Sequence, residues 1–192
     1  SVRFNDDDSP DIRRTFGSAG DLDKWTFSCW YKRSSHGSAT QRLFGAGSNN
    51  TTIYFSSSDQ LAFYDAALDT GWDVQNTDHR KFRDLSAWYH IVIAVDTTHS
   101  TASNRIKVYM NGTQVTAWDT ETYPSQNYDF TGINSTEVHN VSYSDSEHNG
   151  YLCETVFIDG TQYTADNFGE FNEDTPTIWQ PKKVSDLTFG QN

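Results

Sequence analysis

Apolar and polar residues alternate with a period of two along much of this chain. In Trp25-Thr26-Phe27-Ser28-Cys29-Trp30-Tyr31-Lys32 the alternation puts Trp25, Phe27, Cys29 and Tyr31 on one face, the expected core face. Shorter apolar runs at 43–46, 52–55 and 60–64 predict further strands, separated by Ser, Asn and Asp clusters in the rhythm of a meander. The stretch 88–95 is the most apolar. It sets Tyr89, Ile91, Ile93 and Val95 on one side and Trp88, His90, Val92 and Ala94 on the other, so both faces are expected to be covered, near the middle of a sheet.

The strongest local signal is Lys107-Val-Tyr-Met-Asn111-Gly112-Thr-Gln-Val115, two alternating arms around a pair that accepts positive φ in a type I′ turn. A polar loop is expected between Asp96 and Asn104, and a late strand over 151–158 ending in the turn Asp159-Gly160. One helical turn capped by Thr164 is expected over 164–168. Beyond Glu170 the chain carries Pro and reads as irregular, and its end at Phe189-Gly-Gln-Asn192 reads as a cut from a longer parent.

Many short strands with almost no helical periodicity predict an all-β sandwich or barrel, and 192 residues suit a single domain. Composition agrees: 35% of residues are apolar but 15% are Phe, Trp or Tyr, so the core is expected to be built from few, large side chains. No apolar run approaches the ~18 residues of a membrane-spanning helix. The start, Ser1-Val-Arg-Phe4 followed by Asp6-Asp7-Asp8, does not resemble a signal peptide, and without an initiator Met the chain reads as processed or excised. A net charge of −12 excludes nucleic acid as a partner, because phosphate binding needs clustered Lys and Arg. That charge fits either plain solubility or a cation-dependent site.

Four ordered segments add a family resemblance: Trp25-Thr-Phe-Ser-Cys-Trp-Tyr-Lys-Arg33, Ala87-Trp-Tyr-His-Ile-Val-Ile-Ala-Val-Asp96, Arg105-Ile-Lys-Val-Tyr-Met-Asn-Gly112 and Gly150-Tyr-Leu-Cys-Glu-Thr-Val-Phe-Ile-Asp-Gly160. They resemble the signature segments of laminin G-like, concanavalin A-like domains. Val2-Arg-Phe-Asn5, Phe168-Gly-Glu-Phe-Asn172 and Trp179-Gln-Pro-Lys-Lys183 are similar to a branch of that family found in phage virion proteins, especially marine ones. The resemblance implies a two-sheet antiparallel jelly-roll sandwich of six or seven strands per sheet, with the first long strand and the late strand in one sheet. It spans about residues 1–183, leaving 184–192 as a tail. It also implies a tail-fibre, appendage or decoration role, a virion location or else a secreted or cell-surface one, and a homo-oligomeric assembly. Fold alone assigns no ligand.

Catalysis is not expected. Polysaccharide-cleaving jelly rolls use Glu-x-Asp-x-x-Glu on one strand, and this chain lacks it; the nearest pair, Glu154 and Asp159, falls on opposite faces of a strand. No Gly-x-Ser-x-Gly elbow occurs either. For a metal, Asp145, Glu147 and Asn149 offer alternate oxygen ligands to Ca2+ in a loop that reads equally as a solvated acidic loop. Asp6-Asp7-Asp8 reads as a solvated turn. The two cysteines, Cys29 and Cys153, fall on expected inward positions of neighbouring strands, as free thiols or as a disulfide. Sequons at Asn49, Asn50, Asn111, Asn134 and Asn140 are what a chain rich in Asn, Ser and Thr supplies by chance.

Ligand binding rests on aromatics outside the expected strands. Trp72, Tyr128 and Tyr143 are flanked by Asp, Asn and Gln, the composition of a sugar-stacking site; each would alternatively fold back over the sandwich. Trp25, Trp30, Trp88 and Trp118 fall on strand patterns and are expected to pack. Two functions follow: recognition of host-surface carbohydrate through rim loops, or a purely structural role in contact with other virion subunits.

Overall fold

The long third strand of the chain is buried on both faces, with layers packed on each side of it. The computed structural model describes all residues except 37–38, 48–50, 66–73, 143–147 and 192. That strand, β3 (Lys24–Arg33), lies inside a six-stranded sheet with β1 (Val2–Phe4), β8 (Tyr89–Asp96), β9 (Ile106–Met110), β10 (Thr113–Gln114) and β13 (Gly150–Asp159). The order is β1-β13-β3-β8-β9-β10. The second sheet has seven strands and contains β2 (Ile12–Thr15), β4 (Gln41–Ala46), β5 (Thr51–Phe55), β6 (Leu61–Asp65), β7 (Val74–Asp78), β11 (Trp118–Thr122) and β12 (Val138–Val141). Its order is β11-β7-β6-β5-β4-β12-β2, and every pairing in both sheets is antiparallel. This is the expected jelly-roll sandwich.

Trp25, Phe27, Cys29 and Tyr31 all point into the interlayer core, with Ile91, Ile93 and Val95 of β8 beside them. Phe44, Ile53, Phe55 and Phe63 meet them from the other sheet, and Phe27 stacks on Phe44 at 4.6 Å. Asn111 and Gly112 adopt φ of 49° and 79°, the left-handed pair that closes the β9–β10 hairpin in the expected register, Met110 against Thr113. The turn at 165–167 is a 3-10 helix, and the Asn167 Oδ1 accepts the Thr164 N–H at 3.1 Å.

Three expectations change. The chain beyond Glu170 is not irregular: β14 (Gly169–Phe171) pairs with β15 (Trp179–Pro181), and Phe168, Val184 and Leu187 pack on the outer face of the six-stranded sheet. Trp88 does not pack. It precedes β8 and is 37% exposed. Cys153 does not face Cys29: it sits opposite Trp30 on the outer face, while Cys29 is fully buried between the sheets, and both thiols are free. The reason is a bulge in β13 between Cys153 and Val156, where Glu154 takes φ of 48° and shifts the alternation by one residue.

A buried ion pair fixes one end of the sandwich. Arg33 Nη1 lies 3.1 Å from Asp59 Oδ1, both side chains fully buried, and donates to the Phe82 carbonyl at 2.7 Å. Arg83 Nε donates to the other Asp59 oxygen at 2.8 Å. Asp59 thereby ties the β5–β6 turn to the end of β3. Asp59→Asn keeps the side-chain shape and the tolerance for the φ of 67° but strips Arg33 of its counter-charge. It is expected to destabilise the fold by about 3–5 kcal/mol in urea unfolding at neutral pH. A loss below about 1 kcal/mol would refute the role.

Burial also sets the acid limit. Loss of hydration pushes His90 and His148 down to about 4, and His139 downward as well. An unfolded His titrates near ~6.5, so below that pH the unfolded chain binds more protons. Stability is therefore complete above pH ~6.5 and falls toward pH 4, by on the order of 2–3 kcal/mol for each fully buried ring. His148→Gln, which cannot titrate and retains a donor for the Arg42 carbonyl, is expected to flatten this slope; an unchanged slope would exclude His148 from it.

Candidate functional site

The outer face of β3 carries Trp30, whose strand neighbours in register are His90 and Cys153. Its indole stacks on the His90 ring at 4.8 Å and 23°. His90 Nδ1 accepts the Trp179 Nε1–H at 2.9 Å, and its other nitrogen donates to Ser28 Oγ at 3.0 Å, which fixes a neutral ring. Trp179 reaches this position because two glycines make room for it. A Cβ at Gly112 or Gly169 would lie 2.6 or 2.5 Å from the indole.

Trp30, Trp88 and Trp179, with Cys153 and Pro181, line a cleft of about 310 Å3. Among the described residues no ring contact joins the three indoles to one another, so their faces border the cleft without filling it. Glu154, exposed on the bulge beside Cys153, lines a neighbouring hollow with Val2, Ile12 and Val141. Flat aromatic walls around an apolar floor exclude water and stack on C–H faces.

Of the site residues expected from sequence, Tyr128 is half-buried and serves the core. Its hydroxyl donates to Asp65 Oδ2 at 2.6 Å and its ring meets Phe130 edge-on at 5.2 Å. Trp72, Tyr143, Asp145 and Glu147 lie outside the described residues. Asn149 is half-buried, and its backbone carbonyl accepts from the Ser34 N–H at 2.8 Å. Asn134 and Asn140 are buried, so neither sequon is accessible in the folded chain.

Strand alternation placed Glu154 and Asp159 on opposite faces, and the bulge removes that argument. Distance replaces it: the pair is separated by at least four ladder steps, roughly 13 Å at about 3.3 Å each, against the ~5–9.5 Å of glycosidase carboxylates. Asp159 is also fully engaged. Burial raises its pKa, but the Asp21 N–H, the Asn134 amide and the Gln191 N–H outweigh burial and hold it below the usual range. It is an anchor for chain segments.

The sequence pattern of the concanavalin A-like lectin/glucanases superfamily matches residues 11–162, most of the chain. The chain belongs to this superfamily. No curated protein matches it in sequence. Solved structures similar to this superfamily member include the heptameric SAP-like pentraxin of Limulus polyphemus, at 15% identity and TM-score 0.55, covering 81% of this chain and 71% of that one. The binding domain of botulinum neurotoxin DC is similar at 10% identity and TM-score 0.55; 82% of this chain spans 38% of that one. The CBM40 of the Ruminococcus gnavus IT-sialidase is similar at 13% identity and TM-score 0.49, covering 78% and 90%. These likenesses are of fold.

The two thiols provide a direct check on the cleft. Burial raises the pKa of Cys29 far above its ordinary value, whereas Cys153 is half-buried in the cleft wall. Alkylation of the native chain without reductant is expected to add one adduct, at Cys153, and a second only on unfolding. Equal labelling of both would contradict the opposite-face placement.

Proposed function

We propose that this domain is a non-catalytic carbohydrate-recognition module and that the three-tryptophan cleft takes the apolar face of a sugar ring. The observation that carries this reading is an exposed Trp beside two largely buried ones, around an apolar cleft. A structural domain has no need to leave an indole 37% exposed over a cleft; stacking on a pyranose does. Membership in a lectin and glucanase superfamily supports sugar as the ligand class, and the separation of Glu154 from Asp159 supports binding without cleavage. The similarity of 2–5, 168–172 and 179–183 to phage virion proteins supports a place on a virion appendage, displayed in several copies so that avidity offsets weak single contacts.

A second reading has its own observation. Phe171 and Ile178, on and next to the paired strands β14 and β15, are 49% and 53% exposed, an apolar pair suited to a neighbouring subunit. Concentration-dependent self-association lost in Ile178→Asp, without glycan binding, would favour this structural role.

The deciding experiment applies the purified chain to host cells and to an array of host-surface polysaccharides, with and without chelator. Trp88→Ala is expected to weaken binding about tenfold, the loss of one stacked ring, while leaving the unfolding midpoint within error. Trp72→Ala is compared alongside. Chelator sensitivity would assign Ca2+ to Asp145 and Glu147. Release of sugar fragments, absence of binding in both conditions, or full affinity in Trp88→Ala would overturn the reading.

A further inference from the structure

A second cavity, of about 450 Å3, opens on the opposite side of β13 from the cleft, where the two sheets gape. β1 pairs with β13 over Gly150–Leu152, and at the far end of β13 the Asp159 N–H donates to the carbonyl of Phe189, which lines the cavity. Facing β13 is β2, the edge strand of the other sheet, exposed along its whole length. Between them the walls are aromatic: Phe157 stacks on Phe44 at 5.8 Å and on Phe16 at 6.1 Å.

The mouth is basic in a chain of net charge −12. Arg14 lines the cavity with its guanidinium 5.2 Å above the Phe16 ring, and no carboxylate among the described residues pairs with it. Arg13, next to it, is held by Asp11. The remaining titratable side chain of the wall, His139, is committed: its Nδ1 donates to the Glu137 carbonyl and its Nε2 accepts the Asn134 N–H at 2.8 Å. Arg14 is therefore the group left to meet a ligand's charge.

We infer that this cavity binds an amphipathic anion, its acyl or aryl group lying along the apolar wall formed by Ile12, Val141, Phe157 and Phe189 and its carboxylate paired with Arg14. The size suits this class, since a cavity of ~150 Å3 accommodates a single benzene ring. The charge decides the polarity. An ammonium-headed ligand would meet Arg14 as a like charge, and an uncharged one would forgo the charge-assisted hydrogen bonds that a guanidinium makes with a carboxylate. The inference is independent of the tryptophan cleft.

Calorimetric titration with dodecanoate, dodecanol and dodecylammonium, below their aggregation limits, tests it. Dodecanoate is expected to bind at one site per chain, at least tenfold tighter than either of the others. Arg14→Gln is expected to remove about tenfold of that affinity. Thr155→Trp, an exposed position on the bulge that lines the cavity, is expected to block binding with the unfolding transition intact. Co-sedimentation with phosphatidylglycerol vesicles together with dodecanoate binding would identify a membrane acyl chain as a source of the ligand. Co-sedimentation without dodecanoate binding would overturn the proposal, as would equal affinity for the three probes or unchanged affinity in Arg14→Gln. So would self-association of Arg14→Gln with no dodecanoate binding by the parent chain, which would assign Arg14 to blunting the β2 edge.

Discussion

The six-stranded sheet is apolar on both faces, and much of the rest of the structure answers that constraint. Its inner side is satisfied by the second sheet. Its outer side carries Val92, Ala94, Tyr109 and Ile158, each buried, and a two-sheet sandwich alone would leave them in water. At about 1.5–3 kcal/mol for a large apolar side chain, exposing that set would remove a sizeable part of a domain's net stability. The carboxyl-terminal third of a layer, from Tyr163 through Leu187, exists to cover it, with Ala165 and Phe168 as its buried contacts.

That cover is held at one end by His90. The ring accepts from Trp179, donates to Ser28 and lies under Trp30, so a single neutral imidazole links the covering segment, β8 and β3. Its neutrality is a condition of the arrangement. A proton on Nδ1 would confront the Trp179 N–H donor with a second donor, which ties the docking of Trp179 to the burial that holds His90 near 4. Where the cover stops, beyond Trp179 and Pro181, Trp30 and Trp88 are left bordering a gap. The cleft is thus the unfinished margin of a packing layer, and its aromatic character is inherited from a face built for burial.

The inner layer was legible because alternation reports directly on a face that one neighbour covers. Trp25, Phe27, Cys29 and Tyr31 could be placed from spacing alone, and Asn111-Gly112 fixed the hairpin because positive φ at two successive residues leaves few other choices. The outer layer was not legible. Its strands, β14 and β15, are three residues each, too short to display a period, and the pairing joins residues eight to twelve positions apart across a polar loop that contains Pro176. Trp88 was misassigned for a related reason. Period two puts it on the same side as His90, but says nothing of whether a cover extends that far along the strand. The placement of Cys153 failed on the bulge, which no residue type in Cys153-Glu-Thr-Val156 announces, Glu being an uncommon occupant of positive φ.

That bulge also explains how one strand serves two sites. Before it, β13 is flanked on both sides, by β1 and β3, and Cys153 looks outward into the tryptophan cleft. After it, β13 pairs with β3 and meets Phe189 at Asp159, and Thr155, Val156 and Phe157 border the gap toward β2. An unbroken strand would turn a regular edge toward β2, and facing edges with exposed backbone invite a further strand. The left-handed residue at Glu154 bends the edge away from that geometry and leaves in its place a cavity with side-chain walls. A feature that first protects the sandwich from edge pairing thereby determines where the molecule has room: on one side against indoles, on the other along an apolar wall beside Arg14.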